Sequence, residues 1–152
     1  MATKRDMLDS ISATMSRIMR LSGSRAMFKR QAAAAAVELS QPSYVLLRVV
    51  ADEGPLPMGQ LARLAHMDLG MAARRVQSLQ DDGMVARQSD LADARKTMVE
   101  ATAAGARAAR ALQAVRREHL QRALAQWSAA DLREFDRLLA RFLADTTVTP
   151  ID

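Results

Sequence analysis

The sequence contains no cysteine, which removes disulfides, thiolate zinc sites, cysteine nucleophiles and cysteine-based redox sensing together. It has two histidines, His66 and His119, too few for a histidine-rich metal cluster. Aromatic residues are only 3% of the chain, which argues against a single-strand binder that stacks bases on aromatic platforms. No uncharged apolar run approaches the ~18 residues that cross a bilayer. The opening "MATKRDMLDS" has basic residues but no apolar core behind them, so it does not read as a secretory signal, and the cytoplasm is the expected location. A phosphate-cradling glycine loop, a histidine pair at ligand spacing and a Ser–His arrangement are also missing. We therefore expect no enzyme, no cofactor and no bound metal.

What the chain does have is positive charge: 22 Lys+Arg against 17 Asp+Glu, a net +5. A basic balance favours acidic partners, nucleic acid first. At 152 residues, one domain is expected, burying roughly 70% of its unfolded surface without a staple.

Most of the sequence has helical periodicity. Lys4 to about Val37 reads as one long basic helix with an apolar stripe of Leu8, Ile11, Met15 and Ile18, and Gly23 is a point where it could bend or break. Ser40 is placed to cap the next helix, with Pro42 in its first turn and Val45, Leu46, Val49 and Val50 toward a core. "DEGPLP" stops it. Leu61 and Leu64 mark a short helix. Asp68 caps another that carries Val76 and Leu79 inward and ends at Gly83, a left-handed C-terminal position. Met84-Val85 and Met98-Val99 form strand cores on either side of a turn. From Thr102 the chain is helical again, with Leu112, Val115, Leu120, Leu124 and Trp127 at helical spacing. Ser128 to Asp131 has the form of a capping box and opens a last helix striped by Leu132, Phe135, Leu139 and Phe142.

Two short helices, a tight turn and then a hairpin suit duplex DNA. A major groove about 12 Å wide admits one helix, and a helix entering end-on reads bases from its first two turns. Those turns hold Met71, Ala72, Ala73, Arg74, Arg75 and Gln77. Arginine bonds guanine bidentately, glutamine reads adenine, and small alanines allow close approach. The competing reading, of Arg74 and Arg75 as solvated charges on an ordinary helix, is weakened by the hairpin that follows. Its tip carries Asp93, Arg95 and Lys96. A guanidinium on a thin ribbon fits a minor groove roughly 6 Å wide. Asp93 would hold Arg95 through a bidentate pair, and Lys96 would suit a phosphate. His66 falls at the junction of the two helices, where a phosphate contact is plausible, and His119 reads as structural.

From about Leu39 to Gly105 the chain resembles the MarR family of bacterial transcription regulators. The resemblance is carried by "LSQPSYVLL", "MGQLARLAHMDLGMAARRVQSLQDDGMVAR" and "DARKTMVEATAAG". The last matches an Asp-x-Arg, strand, Thr-x-x-Gly pattern at Asp93, Arg95, Thr102 and Gly105. The resemblance implies a mainly α fold with a small β-hairpin wing. In that fold a winged helix-turn-helix lobe (39–101) combines with intertwined N- and C-terminal dimerisation helices (4–37 and 103–145), in a single domain over 1–152. It implies a homodimer that binds a palindromic operator in double-stranded DNA, with the reading helix at about Asp68 to Asp82 and the wing centred on Arg95. Two departures follow. Met71 and Ala73 stand where the family often has Ser or Thr hydroxyls, which shifts base readout toward Arg74 and Gln77. The family's oxidation-sensing branch needs an N-terminal cysteine that this chain lacks.

Independently of the resemblance, the stripes at Leu8–Ile18 and Leu132–Phe142 are each too narrow to form a core alone and need a partner, which a second copy supplies in the favoured reading and the same chain supplies in the competing one. One lobe would also make too few contacts for operator specificity. Many family members release DNA when a small phenolic or aromatic acid binds between the dimer region and the winged lobe. By location, Arg17 and Arg20 are candidates to hold its carboxylate and Tyr44 to supply a hydroxyl. Ordinary surface arginine is the competing reading of the first two. The ten methionines would line an adaptable pocket or, more simply, fill a core poor in aromatics. The alternative function is a helical dimerisation adaptor that binds proteins and shows no preference among DNA sequences.

Overall fold

Side-chain caps set most helix starts in the computed structural model, which describes residues 1–151. The chain divides into two compact units, Met1–Arg116 and Arg117–Asp152.

In the first unit, the expected single N-terminal helix is two: α1 (Lys4–Ser22) and α2 (Arg25–Ala34). Ser24 accepts a hydrogen bond from the Met27 N–H and starts α2 afresh, so Gly23 marks a break rather than a bend. The second helix stops before Val37 because Ala36 turns left-handed (φ 53°) and the Val37 N–H reaches back to the Ala32 carbonyl. Thr3 and Asp6 form a capping box on α1.

Helix α3 (Gln41–Glu53) begins at Ser40 as expected. Its buried face is rotated from the expected one, however. Tyr44, Leu46, Leu47 and Val50 are buried, whereas Val45 and Val49 are half-buried. "GPLP" does more than stop this helix. Leu56–Pro57 is a short strand, β1, whose Leu56 pairs with Val99. The wing is therefore a three-stranded antiparallel sheet in the order β1-β3-β2, with β2 at Val85–Ser89 and β3 at Thr97–Ala101. Val85 opposite Ala101 and Ser89 opposite Thr97 fix the hairpin register.

Helix α4 (Met58–Leu64) buries Leu61 and Ala62, but Leu64 faces solvent at 41% exposure, with Ala65 taking the core position instead. His66 adopts φ 52° in the turn that follows, and the Met67 N–H bonds the Ala62 carbonyl. Helix α5 (Leu69–Asp81) is capped by Asp68 and buries Ala72, Val76 and Leu79. Gly83 has the expected left-handed backbone (φ 71°), and the Met84 N–H bonds the Leu79 carbonyl across it.

Helix α6 (Ala103–Ala123) runs on from β3. Thr102 ties its start to the turn after α5. The Thr102 hydroxyl donates to the Gly83 carbonyl (2.6 Å) and accepts from the Gly105 N–H (3.1 Å), while the Thr102 N–H donates to the Met84 carbonyl (3.0 Å). The main core joins α3, α4, α5, the sheet and Ala108 and Ala109 of α6. A smaller cluster holds Phe28, Ala32, Tyr44 and Leu112.

In the second unit, α7 spans Ala129–Val148, and the expected capping box is present between Ser128 and Asp131. The helix continues three residues past 145, and the Thr146 and Thr147 hydroxyls donate back to the Phe142 and Leu143 carbonyls. Trp127 meets Phe135 edge-on at 5.3 Å. Among the described residues no helix is long and apolar enough to cross a membrane.

Candidate nucleic-acid interface

Asp68 places the start of α5, the expected reading helix. Its carboxylate accepts from the Met71 N–H at 2.8 Å, satisfying an orphan donor and setting a negative charge at the positive end of α5. From there, 3.6-residue geometry sorts the candidate residues. Ala72, Val76 and Leu79 form the buried stripe. Gly70, Arg74 and Gln77 lie on the opposite, exposed face. Met71 is exposed at one flank, Ala73 is half-buried at the other, and Arg75 is half-buried beside the stripe.

This sorting corrects one expectation. Ala72 has 0% exposure and lies in the core, so it has no surface with which to touch a base. A Cβ at Gly70 would lie 3.3 Å from Asp68 Oδ1 and in ordinary contact, at 3.6 Å, with Arg74 Nη1, so the capping carboxylate is the tighter neighbour of this position. The Gln77 amide donates to Asp81 at 2.9 Å. One of its donors is held, and its carbonyl oxygen and second N–H are left for a partner.

At the hairpin tip the chain turns through Asp90–Lys96. The Asp90 N–H bonds the Lys96 carbonyl, the Lys96 N–H bonds the Asp93 carbonyl, and the Ala92 N–H bonds the Asp90 carboxylate. The pairing of Asp93 with Arg95 differs from the bidentate fork expected. A single oxygen, Asp93 Oδ1, accepts both the Arg95 backbone N–H (3.0 Å) and its Nε–H (3.3 Å). Asp93 thus shapes the turn first and restrains the guanidinium second. The Arg95 side chain is 94% exposed, and Lys96 is also exposed.

The three effector candidates do not share a site. Arg17 and Arg20 line an open cavity with Thr14, Ile18, Leu21 and Ser24. Tyr44 is elsewhere and 3% exposed. Its ring lies 5.9 Å from Phe28, and the Arg116 guanidinium sits 4.8 Å from its centroid while bonding Gln31. Tyr44 is thus a packing residue that pins α6 to α2 and α3, and this corrects its assignment as an effector ligand. Sequence reasoning missed that cluster. It also missed a separate cavity of about 480 Å³ lined by Arg25, Phe28, Lys29, Leu39, the start of α3 and Arg75. Nothing in the local pattern signals either, because each joins side chains from distant helices.

A model of the MarR family matches residues 39–97. The chain is 32% identical over 114 residues to an HTH-type transcriptional repressor of Mycobacterium tuberculosis, covering 75% of this chain and 82% of the relative. It is 29% identical over 117 residues to the HTH-type transcriptional regulator YxaD of Bacillus subtilis, covering 77% and 82%. Among solved structures, a MarR family protein from Bacillus stearothermophilus superposes with a TM-score of 0.80 at 19% identity, covering 96% of this chain and 99% of that one.

Proposed function

The chain belongs to the MarR family of DNA-binding transcription regulators, and from that premise we propose that it acts as a homodimeric repressor of a palindromic operator, released by a small aromatic or phenolic effector. The observation that carries this reading is the pair of cationic elements in the first unit: the exposed Arg74–Gln77 face of α5 and the protruding Arg95 of the wing. In the proposal Arg74 and Gln77 read base edges from the major groove, with Met71 and Ala73 at the margins of the contact. Arg95 enters the flanking minor groove, and Lys96 takes a phosphate. The lobe is residues 39–101, and residues 4–37 and 103–145 supply the dimerisation helices of a single domain.

Support for the dimer comes from each terminal helix separately. On α1, Met7, Leu8, Ile11 and Ile18 are all at least half exposed. On α7, Leu132, Phe135, Leu139 and Phe142 are exposed too. Helices so striped gain their stability by burying the stripe, and a second copy of the chain supplies the surface. A two-fold dimer places two reading helices one duplex turn apart, about 34–36 Å. Selection of bound genomic fragments, followed by fluorescence anisotropy, tests the reading. The expected result is preference for one palindrome over random duplex by ~10³-fold or more. Equal affinity for both, or a monomer in sedimentation at binding concentrations, refutes it.

A further inference from the structure

We propose that the tip of α5 reads thymine methyl groups, through Leu69 on one flank and Met71 on the other. The proposal rests on the regulator reading and adds the chemistry by which this part of the helix chooses a base.

The stretch from Leu69 to Ala73 carries no side chain that forms a strong hydrogen bond, since a thioether is only a weak acceptor. Ala72 is in the core and Ala73 is half-buried. The tip therefore presents Leu69, Gly70 and Met71. Leu69 is 58% exposed and Met71 38%, although both are large apolar side chains. At 3.6 residues per turn the two project roughly 160° apart around the helix axis. Gly70 lies between them without a side chain, so the backbone there can approach a surface closely. Two apolar flanks thus bracket bare backbone at the end of the helix that enters the groove first.

What the tip can and cannot bind selects its occupant. An uncapped helix start is ordinarily a phosphate site. Here the Asp68 carboxylate already accepts the Met71 N–H at 2.8 Å, and its charge repels a second anion. Hydrogen-bonding groups on base edges need polar partners, and the side chains of residues 69–73 offer none. Thymine is the base whose major-groove edge carries an apolar group, the C5 methyl. Continuity with the rest of α5 favours DNA over a protein partner. Arg74 and Gln77 lie on the exposed face just beyond the tip, and their side chains suit guanine and adenine. Burying one methyl is worth roughly fourfold in affinity, less than a bidentate hydrogen-bonded pair contributes. The tip thus adds to the discrimination by Arg74 and Gln77 without replacing it. Because Leu69 and Met71 point in different directions, they meet different base pairs.

The test replaces each thymine in one half-site of the selected duplex, in turn, with deoxyuridine. That change removes the methyl and keeps both the pairing and the O4 acceptor. Binding to the full-length protein is read by fluorescence anisotropy. One thymine on each flank should show a loss of roughly fourfold, and the loss should persist as added salt lowers the total affinity. In Met71→Gln one of the two losses should shrink to within about twofold while the other remains, and Leu69→Gln should do the reverse. Met71→Leu, which keeps an apolar side chain of similar size, should retain both losses. A selected half-site without thymine, or deoxyuridine equal to thymine at every position, overturns the proposal. A methyl dependence that survives in both glutamine variants also overturns it, because duplex stiffness would then be its source. Loss of the dimer in either glutamine variant assigns the tip to a protein contact and overturns it as well. A protein with no preferred duplex strikes the regulator reading and the tip assignment together, whereas a preferred palindrome indifferent to its methyls strikes the tip assignment alone.

Discussion

Replacing Gly105 with alanine adds one methyl group to the place where the long helix α6 meets the start of the wing. A Cβ there would lie 1.9 Å from the Met84 carbonyl oxygen, 2.9 Å from its carbon and 3.0 Å from Leu47 Cδ1. No soft side-chain end is available to give way on the near side, because the nearest atoms are backbone. That backbone is also pinned. The Met84 carbonyl accepts the Thr102 N–H at 3.0 Å, and the Met84 N–H bonds the Leu79 carbonyl at 2.8 Å. The preceding Gly83 carbonyl accepts the Thr102 hydroxyl at 2.6 Å. Reaching even a tight 3.0 Å contact requires α6 or the Met84 backbone to shift by roughly 1.1 Å, and the added carbon also meets the fully buried Leu47 side chain at 3.0 Å.

Three terms decide the outcome. Overpacking costs about 1–3 kcal/mol. Stretching the two Thr102 bonds costs about 0.5–1.5 kcal/mol each. Alanine's better helix propensity returns up to ~1 kcal/mol. The net expectation is a destabilisation of about 2–4 kcal/mol, read as a lower urea midpoint at fixed protein concentration. Gly59 in α4 is the internal control, since a Cβ there meets nothing within 4 Å. Gly59→Ala should leave stability unchanged or raise it by up to ~1 kcal/mol. If Gly105→Ala unfolds within about 0.5 kcal/mol of wild type, the close approach to Met84 is not what the position requires and the argument fails.

Asp68→Ala should cost about 0.5–2 kcal/mol by urea titration, since it removes the carboxylate that accepts the Met71 N–H; an unchanged midpoint would show that the cap is idle. Arg95→Ala should weaken duplex binding by ~1–3 kcal/mol. Asp93→Ala should weaken it less, and the double variant should match Arg95→Ala alone, because Asp93 acts through the turn that carries Arg95; additive losses in anisotropy titrations would break that link. The side-chain hydrogen bond from Ser128 holds the Asp131 carboxyl below its ordinary value of 3.8, and the backbone hydrogen bond from Thr3 does the same for Asp6. Groups lowered on folding stabilise fully above their unfolded value and lose that contribution as pH falls through the folded one. Helicity from these two caps should therefore hold from neutrality to about pH 4 and fall only below it. Carboxyl NMR should place the Asp131 midpoint under 3.8 and show it rising in Ser128→Ala, and a wild-type midpoint at or above the ordinary value would refute the cap's role.

The division between what was legible in the sequence and what was not follows the range of the forces involved. Ser40, Asp68, Ser128 and the left-handed Gly83 act on backbone groups within a few residues, so their letters alone announce them, and each lies where the spacing puts it. The two hairpin strands were legible as apolar pairs on either side of a turn, but their register, which sets Val85 opposite Ala101 and Val99 opposite Arg87, was not. Burial is different, because a helix with apolar residues on more than one side is rotated by whatever packs against it. Helix α3 turns Leu47 and Tyr44 inward at the expense of Val45 and Val49 because two separate clusters draw on its surface. Strand β1 is two residues long and exists only because β3 offers Val99 and Met98 as partners. Ala72 makes the same point within the candidate interface. Small size was read as permission for close approach to DNA, yet small residues are also what lets α5 lie tightly on the core, and the four- and three-residue steps from Ala72 to Val76 to Leu79 select the second use. Arg75 sits one position before that buried Val76, and this proximity turns a residue read as a surface contact into the lining of a cavity. Within the reading helix, then, the angle between a side chain and the buried stripe sorts the candidates. Arg74 and Gln77, on the far face, are the pair on which base discrimination should rest. Arg75, on the flank and half-buried, lines a cavity beside the buried stripe.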